Sequence, residues 1–287
     1  MSYALLRVPG AHLHVDFVDA PAPSGRPPLL MLHGGPGADS KYLRPQLDHL
    51  AELGAGRRVV FFDQRGAERS PLDTGTLPAS YQTHVEDVDA VRRLLGVQRL
   101  SLGGFSWGGL LSLLYATCYP ERVERLVLIA PAPSHFEYRQ QLQKRMAAAA
   151  SRPDIVALRT ELMAQLPNVS PETARHWRFA LAVAGYFVDP RKALTLTPFR
   201  VQQRLEEAIW NSLGHYDIRP LLPRLRAVPT LIVHGEDDVI PIASSEEIAE
   251  LTGAELVRAP RCGHVPYIEA PEVLFGAVAR FLESTAG

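Results

Sequence analysis

A serine stands at the centre of a glycine-rich motif, Gly104-Phe105-Ser106-Trp107-Gly108. An apolar, strand-like run precedes the motif, and a helical pattern begins at Trp107. A serine on such a sharp strand-to-helix turn projects its hydroxyl out of the sheet. The flanking glycines are needed because side chains at these positions would collide with the neighbouring strand or helix. The motif therefore predicts that Ser106 is a nucleophile.

A nucleophilic serine needs a base, and the base needs a carboxylate that orients it. His264 follows the last predicted strand and is the candidate base. The acid comes from the turn after the preceding strand, where Asp238 has the expected spacing from Gly235. Asp237 and Glu236 remain as alternatives to Asp238. The chain order of serine, acid and histidine is the order found in one class of sheet hydrolases.

The loop at residues 33–37, with the sequence HGGPG, also follows an apolar strand. Two backbone N–H groups can stabilise the negative charge on a carbonyl oxygen under attack, typically by ~2.7–4 kcal/mol per donor. Trp107, which follows the nucleophile, is expected to supply one donor. The proline of the loop has no N–H, so Gly34 or Gly35 supplies the other, and Gly35 is favoured. His33 is interpreted as a structural hydrogen-bonding residue.

Another strand leads into residues 63–66, with the sequence DQRG. We interpret an Asp–Arg pair in this segment as a structural brace for the loops around the oxyanion hole, without a catalytic role.

The elements that must position these residues alternate along the chain. Strand-like runs separated by helical patterns predict an α/β fold with a mostly parallel central sheet and helices on both faces. Ligands of such sheets bind at the carboxyl ends of the strands, where all the motifs above lie. A helix is predicted from Asp39 or Ser40 to about Glu52. The predicted strands cover residues 12–18, 28–33, 58–62, 98–103, 126–131, 229–234 and 255–259.

The alternation is interrupted between residues 134 and 222, where helical patterns occur without a convincing strand. We interpret residues 134–222 as a helical cap domain over the carboxyl edge of the sheet. Residues 1–133 and 223–287 then form the core domain. The helices predicted within the cap cover residues 137–150, 153–166, 171–184 and 200–213.

Composition restricts the function classes. The 287 residues carry a net charge of −1, so no basic face for nucleic acid is predicted. Two cysteines are too few for a disulfide framework and, with no secretory signal at the N-terminus, favour the cytoplasm. No apolar run is long enough to span a membrane.

His12 and His14 share a strand face without a third ligand, and no phosphate-binding loop is present, so neither a metal nor a cofactor is predicted. No oligomeric state is predicted.

Five motifs together resemble one family. The chain resembles an α/β-hydrolase of the proline iminopeptidase-like group from about residue 10 to its C-terminus. The resemblance implies an α/β-hydrolase fold, a triad of Ser106, Asp238 and His264, and oxyanion donors at Gly35 and Trp107. It also implies release of an N-terminal residue, often proline, from small peptides without a metal or cofactor. The motifs are HGGPG at 33–37, DQRG at 63–66, GFSWGG at 104–109, HGEDD at 234–238 and CGH at 262–264.

The cap departs from the family pattern at Val183. Family members carry a glutamate here, in a short motif that ends in Tyr-Phe, and it binds the free ammonium of the substrate. Valine cannot pair with an ammonium, which favours an alternative function as an esterase, lactonase or amidase for a small neutral or apolar substrate. A further alternative is a ligand-binding module that has lost catalysis. Four other cap carboxylates are candidates to replace the glutamate: Glu161, Glu172, Glu206 and Glu207.

Overall fold

The computed structural model describes residues 2–75 and 79–284. Within these residues, eight strands form one sheet. Strands β3 to β7 consist almost entirely of buried residues, as expected of strands covered on both faces. The strands are β1 (Ser2–Val8), β2 (Ala11–Val18), β3 (Leu29–Leu32), β4 (Val59–Phe62), β5 (Leu100–Phe105), β6 (Val123–Ile129), β7 (Thr230–Gly235) and β8 (Glu255–Ala259).

The strand order is β1-β2-β4-β3-β5-β6-β7-β8. The pairs β1–β2 and β2–β4 are antiparallel, and the five pairs from β4–β3 to β7–β8 are parallel. This confirms the predicted α/β fold with a mostly parallel sheet. Because parallel strands end at one edge, the turns after β3, β5, β7 and β8 come together there.

Helices cover both faces of the sheet and enclose two apolar clusters, one on each side. Alternate residues of a strand point to opposite faces, so Leu30 and Leu32 enter one cluster and Leu29 and Met31 the other. The helices are α1 (Leu50–Leu53), α2 (Tyr81–Leu94), α3 (Trp107–Cys118), α4 (Phe136–Ala149), α5 (Pro153–Gln165), α6 (Pro171–Val183), α7 (Gln203–Leu213), α8 (Ile242–Thr252), α9 (Pro266–Glu269) and α10 (Pro271–Glu283).

The segment between β6 and β7, described without a gap, contains α4 to α7 and several short 3-10 turns. It adds no strand to the sheet. The four helices lie within about three residues of their predicted positions, because each begins after a loop or proline and has apolar residues at helical spacing.

The predicted helix from Asp39 or Ser40 to Glu52 is wrong. Two 3-10 turns, Lys41–Leu43 and Gln46–His49, occupy half of this region, and only Leu50–Leu53 is α-helical. Arg44 is extended, with φ −105° and ψ 150°, because the following Pro45 disfavours the helical region for its predecessor. Strand β1, which pairs with β2 along its whole length, was not predicted.

Candidate active site

Ser106 lies at the junction of β5 and α3, where the chain turns sharply. Its backbone has φ 53° and ψ −117°, a conformation that residues with a side chain rarely adopt. The turn leaves no room beside it. A Cβ on Gly104 would lie 2.1 Å from the Gly108 carbonyl oxygen, and a Cβ on Gly108 would lie 2.2 Å from that of Leu32. Both glycines of the motif are therefore sterically required, and the turn leaves the Ser106 side chain partly exposed.

A continuous chain of hydrogen bonds joins the three residues that the sequence singled out. The Nε2 atom of His264 lies 3.0 Å from the Ser106 hydroxyl oxygen. On the other side of the ring, Nδ1 lies 2.9 and 3.1 Å from the two carboxylate oxygens of Asp238. In this arrangement Nδ1–H donates to the carboxylate, and Nε2 is free to accept the serine proton.

Burial separates Asp238 from the two alternative acids. The Asp238 side chain is fully buried, and its Oδ1 also accepts the backbone N–H of Ile240 at 2.8 Å. Asp237 and Glu236 are exposed. Of the three carboxylates in this turn, Asp238 is the one that contacts His264.

A second histidine, His234, also contacts the Asp238 carboxylate, and sequence reasoning assigned it no role at the site. Its Nε2 lies 3.3 Å from Asp238 Oδ2 and 3.1 Å from the Ile240 carbonyl oxygen. Its Nδ1 lies 2.7 Å from the Ser245 hydroxyl. Burial lowers the pKa of His234, so the ring is neutral. Since both neighbours of Nε2 are acceptors, Nε2 carries the proton and Ser245 donates to Nδ1.

The two glycines of the HGGPG loop differ in what their amides do. The Gly34 N–H donates to the Tyr42 hydroxyl at 2.7 Å and is occupied. The Gly35 N–H forms no hydrogen bond with any described residue. Trp107 is the first residue of α3, so its N–H has no intrahelical acceptor. The geometry therefore favours Gly35 over Gly34, with Trp107 as the second available donor.

A buried network behind the HGGPG loop holds this arrangement in place. The Gln64 side chain donates to the His33 carbonyl at 2.8 Å and accepts from the Trp107 indole at 2.8 Å. The His33 Nε2 accepts the Gln64 backbone N–H at 3.1 Å, and burial lowers the pKa of this histidine. His33 is thus a structural residue, and Gln64 is a supporting residue that the sequence analysis missed.

The Asp–Arg brace exists, but with other partners than the DQRG segment suggested. Asp63 pairs with Arg69, at 2.7 Å, and Arg65 pairs with Asp87 on α2 through two bonds of 2.6 and 2.7 Å. Burial raises the pKa of Asp63, but hydrogen bonds from Arg69 and Ser40 outweigh this and lower it overall. One buried and one partly buried ion pair therefore support the loops at the carboxyl edge of the sheet.

The segment after α6 reaches the histidine loop directly. The Tyr186 carbonyl accepts the His264 backbone N–H at 2.7 Å, and the Tyr186 ring lies 5.0 Å from the imidazole, centroid to centroid. Glu269 accepts the N–H of Gly263 at 2.7 Å and that of Val188 at 2.9 Å. The orientation of His264 thus depends on the helical insertion as well as on the sheet.

The four carboxylates considered as substitutes for the family's glutamate lie in different environments. Glu161 pairs with Arg191, Glu207 accepts from Gln203, and Glu172 is exposed. Glu206 is half-buried at the start of α7, and burial raises its pKa while the charge of Arg139 opposes the shift. Val183 is buried at the end of α6.

The described residues offer neither a cluster of metal ligands nor a membrane-spanning helix. Residues 2–75 and 79–284 contain no group of three or more His, Cys, Asp or Glu side chains arranged to hold a metal ion. No helix in the same residues combines the length and apolarity needed to cross a membrane.

Known proteins show the same fold. The family model of the alpha/beta hydrolase fold matches residues 27–271. A proline iminopeptidase of Lactobacillus delbrueckii subsp. bulgaricus is 28% identical over 265 residues, which cover 85% of each chain. The solved proline iminopeptidase of Mycobacterium smegmatis has a TM-score of 0.72 and 21% identity, covering 98% of this chain and 97% of that one. The solved enol-lactonase of Burkholderia xenovorans LB400 has a TM-score of 0.64 and 22% identity, covering 99% and 100%.

These comparisons confirm the resemblance to proline iminopeptidases that the motifs indicated. The family model covers most of the chain, and its match includes Ser106, Asp238 and His264. The chain belongs to the α/β hydrolase fold family and is a serine hydrolase.

Proposed function

We propose that the protein hydrolyses its substrate through an acyl-enzyme. His264 takes the proton of Ser106 as the serine oxygen attacks a carbonyl carbon, and Asp238 holds the imidazole in the required tautomer. The single observation that carries this proposal is the continuous hydrogen-bonded chain from the Ser106 hydroxyl through His264 to the buried Asp238.

The tetrahedral intermediate places a negative charge on the former carbonyl oxygen. The N–H groups of Gly35 and Trp107 stabilise this charge, and the N-terminus of α3 adds a favourable dipole. His264 then gives its proton to the leaving group, the acyl-enzyme forms, and water attacks it by the same route. Each step uses only protein groups and water.

For the substrate, we propose a small peptide or amide from which one N-terminal residue is released. The curated relatives named proline iminopeptidase support this class. Such an enzyme must recognise a free ammonium, and with Val183 in the family's glutamate position another carboxylate is needed.

Glu206 is the cap carboxylate best suited to this role. It lies close enough to Tyr186, whose ring is 5.0 Å from the His264 imidazole, for its charge to add to the effect of burial and raise the pKa of that phenol. Arg139 is the cation that acts on Glu206, but its guanidinium lies over Trp210, 4.1 Å from the ring centroid, and forms no ion pair with Glu206 among the described residues. A half-buried carboxylate without a direct cationic partner suits an ammonium ligand.

We further propose that residues 134–222 act as a cap domain on the core of residues 1–133 and 223–287. The contacts of Tyr186 and Val188 with the His264 loop support this division of roles. The cysteines Cys118 and Cys262 are both free thiols, which supports the cytoplasm as the compartment.

The first test compares proline p-nitroanilide, its N-blocked form and p-nitrophenyl butyrate, with Ser106→Ala as the blank. We expect cleavage of the free anilide only, and loss of at least about a thousandfold in kcat with Ser106→Ala. A fluorophosphonate should label the wild type but not the variant. Labelling that persists in Ser106→Ala would contradict the proposed nucleophile, and absence of labelling and turnover would favour a non-catalytic ligand-binding module.

The second test removes the proposed ammonium partner. Glu206→Gln should raise KM for proline p-nitroanilide about tenfold or more and leave an ester without an amine unaffected, because only the ammonium uses the charge. Since burial raises the pKa of Glu206, wild-type KM should rise as the pH falls through a value above the ordinary glutamate range. This dependence should be absent in Glu206→Gln. Glu207→Gln, on the exposed neighbour, is the matched control.

The second candidate function is hydrolysis of a small neutral ester or lactone. The buried, uncharged Val183 favours it. The fold does not choose between the two candidates, because both a proline iminopeptidase and an enol-lactonase share it. Cleavage of the ester alone in the first test would select this alternative.

A further inference from the structure

A groove of about 620 Å³ lies between α6 and the loop that follows the HGGPG segment. Its apolar part is formed by Phe179 from α6 and by Phe199, whose rings lie 5.2 Å apart and nearly perpendicular. Arg175 and Arg178 from α6 line one part of the groove, and Arg200 lines another. The mechanism proposed above uses none of these residues.

The groove leads towards the proposed oxyanion hole. The Phe199 ring lies 4.3 Å from that of Tyr42, whose hydroxyl accepts the Gly34 N–H. Beyond Arg200, Val201 lies 3.8 Å from where a Cβ on Gly35 would stand. A second cavity of about 480 Å³, lined by Arg200 and by Gly37 of the same loop, adjoins the first. The groove therefore borders the loop that carries the proposed Gly35 donor.

The three arginines are exposed, and none of them forms an ion pair with a described residue. Elsewhere at this edge of the sheet the arginines are used internally: Arg65 pairs with Asp87, and Arg69 with Asp63. The guanidinium groups of the groove are thus available to a ligand.

Carboxylates also line the groove, but they are fewer than its cationic side chains. Four cationic side chains, the three arginines and Lys41, face three carboxylates, those of Asp39, Glu68 and Glu172. The Asp39 carboxylate is mostly buried and accepts the backbone N–H of Lys41 at 2.8 Å. The balance near the arginines is therefore cationic.

We propose that this groove binds the free carboxylate of the substrate's leaving group, with an apolar or aromatic side chain packed on Phe179 and Phe199. The inference rests on the proposed function: when an enzyme releases the N-terminal residue as the acyl group, the C-terminal carboxylate stays on the leaving group. Guanidinium groups bind carboxylates through paired hydrogen bonds, and aromatic rings pack well on each other. Unblocked dipeptides and tripeptides with an apolar second residue are the substrates of this class.

The test compares Pro-Phe with Pro-Phe-amide, which differ only in the terminal charge. At low ionic strength, wild-type kcat/KM should favour Pro-Phe about tenfold, mainly through KM, and added salt should reduce the preference. Arg178→Gln and Arg200→Gln should each lower the preference about three- to fivefold, a typical effect for an exposed pair. Proline p-nitroanilide, which lacks the carboxylate, should be cleaved as by the wild type. Arg159→Gln, on an exposed arginine of α5 that does not line the groove, is the matched control.

Failure of this inference is distinguishable from failure of the proposed function. Equal kcat/KM values for Pro-Phe and Pro-Phe-amide, unchanged in the arginine variants, would refute the carboxylate site. The proposed peptidase activity would still stand. If prolyl peptides are not cleaved at all, 4-acetoxybenzoate and its methyl ester serve as the charged and neutral pair. A wild-type preference for the charged ester that Arg178→Gln and Arg200→Gln reduce supports the site, and an unchanged ratio overturns it.

Discussion

At the scale of single residues, the least expected contact is that of His234 with the Asp238 carboxylate. The carboxylate then has two imidazole neighbours, one at 2.9 Å from His264 and one at 3.3 Å from His234. Burial lowers the pKa of His234, so the ring adds no positive charge beside the carboxylate. Its Nε2–H donates to the Ile240 carbonyl at 3.1 Å, and the Ile240 N–H donates to Asp238 Oδ1 at 2.8 Å. We interpret His234 as a positioning residue that holds Asp238 in the orientation His264 requires.

Replacing His234 tests this interpretation. His234→Leu removes the donor to the Ile240 carbonyl and loosens the turn whose Ile240 N–H binds Asp238. We therefore expect kcat to fall about tenfold and the acidic limb of the kcat/KM profile to move to higher pH. The limb moves because a carboxylate that loses the Ile240 N–H stabilises the imidazolium more strongly. His234→Gln, which retains an N–H donor, should recover part of both effects. A fall in kcat without any movement of the limb would indicate a purely structural role.

At the scale of elements, the loop that carries His264 is held from two sides. The sheet places the loop after β8, and the helical insertion contacts it through the Tyr186 carbonyl. Glu269 on the short helix α9 joins both sides, since it accepts N–H groups from Gly263 and Val188. Burial raises the pKa of Glu269, and these N–H bonds oppose the shift.

We predict that Glu269→Ala loosens both segments at once. Three N–H groups, those of Gly263, Val188 and Asp189, lose an acceptor. The cost is about 1–3 kcal/mol for each that stays buried. Activity should fall about tenfold, and hydrogen exchange should increase around Gly263 and Val188 but not in β5. Glu272→Ala, on the exposed first turn of α10, is the control and should leave both measurements unchanged. Normal exchange in Glu269→Ala would show that the loop does not depend on this carboxylate.

At the scale of the whole molecule, three buried histidines make the fold sensitive to acid. Burial lowers the pKa of His33, His84 and His234, in the case of His84 to about 3. In the unfolded chain these groups have pKa values of about 6.5. Below that pH the unfolded state takes up protons that the folded state does not. The contribution of these three histidines to the free energy of unfolding is therefore fully present above about pH 6.5. It is lost as the pH falls from there towards their folded-state pKa values.

His84 offers the clearest measurement of this effect, because its ring is not part of the proposed catalytic machinery. Urea unfolding should show that His84→Gln shrinks the stability difference between pH 7.5 and pH 5.5 by about 1.4 kcal/mol, the value of one pH unit of linked protonation. His215→Gln, at a histidine whose side chain is 71% exposed, should leave that difference as in the wild type. If the two variants showed the same pH dependence of the free energy of unfolding, His84 would not be a source of the acid sensitivity.

Much of the fold and the site was predictable from local patterns. Apolar runs and helical spacing indicated seven of the eight strands and the helices between β6 and β7. Elements buried on one or both faces have apolar residues at regular spacing or in continuous runs, which can be recognised in the sequence. The helix proposed to begin at Asp39 or Ser40 failed at Pro45, where a local backbone restriction outweighs apolar spacing. Strand β1 was missed because much of it is exposed at the edge of the sheet.

By itself, the sequence determined which chemistry is available and at which strand ends it stands, since motif spacing and chain order are local properties. Only the tertiary structure decided which atoms meet. Asp238 rather than Asp237 contacts His264. The Tyr42 hydroxyl accepts the Gly34 N–H, so the Gly35 N–H is the one that stays available. Arg69 rather than Arg65 pairs with Asp63. Each of these choices depends on burial or on a partner from another part of the chain. Spacing restricts the candidates, but only packing determines which of them is desolvated and within hydrogen-bonding distance.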